Sequence, residues 1–249
     1  MRLLEFGLVL TFLAGCSTAG GERAPAASVA RLSSSGQVNL GLAQSYLQKN
    51  DIKKATERAN TALASDPGSA DVHALLGMIH QREGKFAQAE REFDRALKIA
   101  PSDGSILNAH ASWLCERGQT AQADQEFVRA LNDSRYRTPF QALSNAGRCA
   151  RKAGQWGKAE AYLRKALAVS PEDLQVLMLL ADTELQQGKI MEAQAFIQRR
   201  DGLGSDAATL ELAARIEDAA GNRLAAARYR QRLRDEFPDH VPTGEGARP

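Results

Sequence analysis

Apolar residues recur along most of the chain at spacings of three and four, as in Leu42, Tyr46 and Leu47 or in Phe93, Ala96 and Leu97. That spacing gathers side chains on one face of a 3.6-residue helix and is not the period-two alternation of a strand, so it predicts an all-α chain. The string Gly84-Lys85-Phe86-Ala87-Gln88-Ala89 marks a repeating unit. It returns in degenerate form at 118–123, 154–159, 188–193 and 221–226, and Asn50 to Ala55 is the first copy. The alanines that close these strings, at 55, 89, 123, 159, 193 and 226, are 34, 34, 36, 34 and 33 residues apart. Each unit reads as helix, turn, helix, with the Gly or Asn at the turn because that position accepts left-handed backbone angles cheaply.

The interval matches the 34-residue period of tetratricopeptide repeats, so the expected architecture is a right-handed superhelical solenoid of six units. Their expected bounds are 36–69, 70–103, 104–138, 139–172, 173–205 and 206–238. Small residues recur where two helices must approach closely. Ala43, Gly77, Ala111, Gly147, Ala181 and Ala214 hold a site on the first helices, and Ala55 through Ala226 hold one on the second helices. A third series, Ala62, Ala96, Ala130 and Ala166, is broken by Arg200 and Leu233. Repeats five and six therefore read as degenerate. Gly202-Leu203-Gly204 predicts an early end to the second helix of repeat five, and Arg200 with this loop predicts loosened packing there. Pro67, Pro101, Pro171 and Pro238 stand where helices must stop. The two extra residues between repeats three and four fall around Asp133 to Pro139.

The first residues follow a different pattern. Met1 to Cys16 carry one early positive charge, Arg2, an apolar run from Phe6 to Leu13, and then Leu13-Ala14-Gly15-Cys16. The run is shorter than the ~20 residues that span a bilayer. Its ending resembles the bacterial lipobox, in which the cysteine is acylated and becomes the first residue of the mature protein. The expected layout is a signal peptide over 1–15, a lipidated Cys16 with a flexible tether over 16–35, and a disordered tail over 239–249. Ser17, rather than an acidic residue, follows the cysteine, which points to an outer-membrane lipoprotein facing the periplasm.

Charge and composition narrow the function by exclusion. Thirty-two basic and thirty acidic residues leave a net charge of +2 and no cationic stripe, and aromatics are scarce, so nucleic acid is not an expected partner. His73, His80, His110 and His240 do not stand at metal-ligand spacing. No nucleophile elbow, phosphate loop or dinucleotide fingerprint is present, so no enzyme, cofactor, metal or small-molecule substrate is expected. Acidic residues such as Glu90, Glu92 and Asp94 read as solvated partners of neighbouring bases.

Binding is then the expected role, because the first helices of such a solenoid line a concave groove suited to a peptide or partner helix. The candidate groove positions are Leu40, Gln44, Leu47, Leu75 and Met78 in repeats one and two, followed by Asn108, Ser112, Asn145, Arg148 and Arg151. The leucines could equally be interhelix core. Together the positions predict an apolar amino-terminal groove and a polar, amide-bearing middle. The Lys, Asn and Arg set with which some tetratricopeptide domains clamp a carboxyl terminus is absent from repeats one and two.

Two strings, Asn108-Ala109-His110-Ala111-Ser112-Trp113-Leu114-Cys115-Glu116-Arg117-Gly118 and Tyr136-Arg137-Thr138-Pro139-Phe140-Gln141-Ala142-Leu143-Ser144-Asn145-Ala146-Gly147-Arg148-Cys149, resemble the type IV pilus biogenesis and stability lipoproteins, the pilotins. The first departs from the family's Asn-Asn-Tyr-Gly at three positions. The resemblance implies a protein that binds the pilus secretin and assists its localisation and assembly in the outer membrane. The competing reading is a repeat lipoprotein of outer-membrane protein insertion or of cell-wall synthesis. If Cys16 is acylated in an oxidising periplasm, Cys115 and Cys149 are the two cysteines left, on the first helices of adjacent repeats. A disulfide between them is expected, the alternative being two buried thiols.

Overall fold

The computed structural model describes residues 32–240. The leader, Cys16, most of the tether and the last nine residues lie outside the described residues. Among the described residues twelve helices follow one another in pairs: α1 (Ser34–Gln48) with α2 (Ile52–Ser65), α3 (Ala70–Arg82) with α4 (Phe86–Ile99), and α5 (Gly104–Glu116) with α6 (Thr120–Asn132). The series continues with α7 (Pro139–Lys152) and α8 (Trp156–Val169), α9 (Leu174–Gln186) and α10 (Ile190–Gly202), and α11 (Ala207–Ala219) and α12 (Arg223–Glu236). Helix α1 begins at Ser34, two residues inside the segment expected to be tether, because Ser33 caps it by accepting from Gly36 N–H at 3.0 Å.

One turn is used six times. Asn50, Gly84, Gly118, Gly154, Gly188 and Gly221 all have positive φ, between 58° and 79°. In each case the next N–H reaches back five residues to a carbonyl of the first helix. Examples are Lys85 N–H to His80 O at 2.8 Å and Asn222 N–H to Glu217 O at 2.8 Å. This closes the first helix and starts the second within a few residues. Only Asn50 has a side chain in that conformation, and asparagine tolerates it best after glycine.

The small residues sit where the helices close on one another. All six alanines of the second-helix series are fully buried. A Cβ on Gly77 would lie 3.0 Å from the Phe93 ring, and one on Gly147 would lie 2.7 Å from Leu163 Cδ2. Phe93, Phe127, Leu163 and Ile197 occupy one register position in successive second helices and fill the space so opened.

Repeat five corrects the expectation of loose packing. Helix α10 has 13 residues against 14 in α8, ending at Gly202. Arg200 is nonetheless only 4% exposed at the place of the alanine. Its guanidinium folds back over the loop, donating to the Gly204 carbonyl and, at 2.8 Å, to Asp206 Oδ2. Leu233 fills the corresponding site in repeat six. A long side chain with a paired head occupies the volume that a helix in closer contact would have taken.

The curvature follows from which helices touch. Each first helix packs on the next first helix, α1 on α3 through to α9 on α11. The backbones of successive second helices stay further apart and are joined by long side chains, as where Lys158 and Tyr162 of α8 reach Asp124 of α6 and Arg232 of α12 reaches Asp201 of α10. The first helices therefore form the crowded inner layer and the second helices the splayed outer one. Cys115 and Cys149 join α5 to α7 across this inner layer by a disulfide, with Cα atoms 5.7 Å apart.

Candidate partner-binding groove

The residue that follows each small site of the first helices points away from the second-helix layer. These residues form a column along the inner face: Gln44, Met78, Ser112, Arg148, Asp182 and Arg215, every one exposed or half-buried. Polar bonds tie neighbouring first helices together along it. Asn145 Nδ2 donates to Asn108 Oδ1 at 3.1 Å, Arg151 pairs with Asp182, and Arg215 Nη2 lies 3.6 Å from Asp182 Oδ1. Ser112 Oγ is turned to its own helix, donating to the Asn108 carbonyl at 2.8 Å.

Several expectations change here. Leu40, Leu47 and Leu75 are buried in the core between the first two repeats and do not line the groove. Their helical phase points toward the second helices, so the amino-terminal groove keeps only Met78 as a large apolar side chain. The two amides, expected to bond an extended partner, bond each other first. They keep Asn108 Nδ2 and Asn145 Oδ1 for further contacts, one donor group and one acceptor side by side. Sequence reasoning missed Asp182 and Arg215, although their place directly after the small residues Ala181 and Ala214 repeats that of Gln44 and Met78. The column thus runs from neutral to charged.

The amino-terminal end of the solenoid holds a second unforeseen feature. Val38 is 62% exposed and Leu42 38% exposed. In the five later repeats the residues in Val38's place are Val72, Ile106, Ala142, Val176 and Thr209, all buried beneath the preceding second helix. No second helix precedes α1 among the described residues, so a face of buried type is open at this end of the solenoid.

The histidines are structural pairs. His73 Nδ1 lies 2.6 Å from Glu92 Oε2 while Nε2 donates to the Pro67 carbonyl at 3.1 Å, and His110 Nδ1 lies 2.7 Å from Glu126 Oε2. Glu92 thus bonds a buried ring through Oε2 while its Oε1 pairs at 2.7 Å with the exposed Arg95, the neighbouring base expected for it. No group of three metal-ligating side chains occurs among the described residues. Away from the groove, Glu160 accepts bonds from Arg164 at 2.7 Å, Gln187 at 2.9 Å and Lys189. Burial pushes this carboxyl up, but those donors outweigh it and hold it at about 2. Glu184, fully buried beside it, is pushed above the usual carboxylate range by burial and by the charge of Glu160.

Known proteins share this repeat fold. The profile of the tetratricopeptide repeat matches residues 40–104 and 150–216. The crystal structure of PilW, described as a widely conserved type IV pilus biogenesis factor, superposes with a TM-score of 0.77 at 31% identity, over 84% of this chain and 97% of that one. The type IV pilus assembly protein PilF of Pseudomonas aeruginosa is 26% identical over 233 residues, 93% of this chain and 92% of its own length. A PilF crystal structure superposes with a TM-score of 0.71 at 25% identity, over 83% of this chain and 93% of that one. With the repeat, the turn, the stacking and nearly the full length held in common, the chain belongs to the tetratricopeptide-repeat proteins of type IV pilus biogenesis.

Proposed function

We propose that the chain is a non-enzymatic lipoprotein of the outer membrane, anchored through Cys16 and facing the periplasm, that binds the type IV pilus secretin and assists its localisation and assembly. The observation that carries this reading is the full-length likeness to pilus biogenesis proteins, joined to a surface built for protein binding rather than chemistry. Met78, Gln44 and the open Val38 and Leu42 face give an apolar-centred contact at one end. The Asn108–Asn145 pair and Arg148 give directional polar contacts further along. An apolar anchor with a polar surround is the usual division of labour at a protein interface.

Repeats one to four are the proposed contact, because their column carries the neutral and amide groups while Asp182 in repeat five is already paired with two arginines. The experiment is envelope fractionation of cells carrying the chain, Cys16→Ala, or no copy. The reading expects secretin multimers in the outer membrane only with the acylatable chain. Multimers of normal amount and location in cells without the chain would refute it.

A further inference from the structure

The two most exposed large apolar side chains among the described residues are Met191, at 79%, and Leu224, at 77%. They hold the same register position, two residues before the buried alanine of α10 and of α12. The four earlier repeats have Lys53, Ala87, Ala121 and Gly157 there, so at this position a large apolar side chain occurs only in the last two of the described second helices. Helix α12 also carries five arginines, at 223, 228, 230, 232 and 234, against Asp235 and Glu236. Arg230 pairs with Asp218, and Arg232 pairs with Asp201 and Glu236. Arg223, Arg228 and Arg234 make no ion pair among the described residues and lie exposed, as Leu224 does.

From this juxtaposition we infer that the outer edge of repeats five and six is an interfacial contact for an anionic lipid surface. Shape favours a lipid over a protein. The second helices form the splayed outer layer, so Met191 and Leu224 project from a convex surface and would enter a soft phase, whereas a rigid partner would need a matching pocket for each. Charge agrees, since guanidinium groups beside apolar tips pair with lipid phosphates at the depth the tips reach. A polar end is needed on any solenoid for solubility, and arginines alone would serve that need. Leucine and methionine at nearly full exposure work against it. The contact is independent of which protein fills the groove, and it would lay the solenoid along the membrane.

The test uses the chain from Ser17 onward, which lacks Cys16 and contains every described helix, with its disulfide intact. It is sedimented with vesicles of phosphatidylglycerol and phosphatidylethanolamine, and with vesicles of phosphatidylcholine. Sedimentation with the anionic vesicles only, weakened by added salt, is expected. Arg223→Glu with Arg228→Glu should reduce it by at least about five-fold for each charge removed. Met191→Asp with Leu224→Asp should also reduce it, and all variants should melt cooperatively like the parent because these side chains are exposed. Failure to sediment, or sedimentation unchanged by both pairs of substitutions, would overturn the inference. Retention on immobilised polyglutamate without vesicle binding would assign the face to an acidic protein and overturn it too.

Discussion

At the scale of single residues, the fold depends on two kinds of glycine, which their offsets in the repeat already separate. Gly147 is small because Leu163 fills the space beside it, and a Cβ there would lie 2.7 Å from Leu163 Cδ2. Gly84 is glycine because its φ is 72°, with open space around it. Urea unfolding should separate them. Gly147→Val should cost about 2–3 kcal/mol by overpacking, and Gly84→Ala about 1 kcal/mol by backbone strain alone. A larger loss at Gly84 than at Gly147 would contradict this assignment. Titration gives a second check. Glu160 has a folded pKa of about 2, below its unfolded value, so its contribution is present above that unfolded value near 4.3 and is lost as pH falls toward 2. Glu160→Gln should therefore flatten the loss of stability between about pH 4.5 and 2, measured as melting temperature against pH. The Glu160 reading needed the structure, since Glu160 meets Lys189 and Gln187 only when α8 is stacked on the turn that follows α9.

At the scale of elements, the helices were legible because each unit repeats one solution. The turn glycine, the close-packed alanines and the terminal prolines recur at fixed offsets, and the six pairs of helices follow them. What remained ambiguous was helical phase. Leu40, Leu47 and Leu75 share first helices with Gln44 and Met78, and only the packing of α1 to α4 tells which of them face the core. Arg200 misled for another reason. A charged residue in an alanine series reads as a defect, yet its bonds to Gly204 and Asp206 make it a plug. Open ends mislead similarly, since Val38 and Leu42 have the identities of buried residues and lack only a cover. The link between α5 and α7 adds a prediction at this scale. Cys115 and Cys149 close a segment with a sequence separation of 34. On the chain-entropy account their reduction should lower stability by up to about 4 kcal/mol. Urea midpoints of the oxidised and reduced protein measure this, and equal midpoints would refute it.

At the scale of the whole molecule, the solenoid divides its surface between two layers. The inner layer, stitched by Asn108–Asn145, Arg151–Asp182 and the disulfide, holds a column of side chains in fixed register for a partner. Its rigidity comes from bonds between successive first helices, so a partner meets a preformed surface and little ordering cost is left to binding. The outer layer is linked more sparsely, by side chains such as Tyr162 to Asp124 and Arg232 to Asp201, and carries the basic, apolar-tipped edge of the last repeats. The central claim is that the inner face at repeats one to four holds the secretin. Its most direct measurement is the affinity of the purified protein for the purified periplasmic region of the secretin, for the parent and for Gln44→Glu with Met78→Glu. Both side chains are exposed, so cooperative melting should be unchanged. The account expects at least a ten-fold loss of affinity, and an affinity equal to the parent's in a variant that melts normally would contradict it.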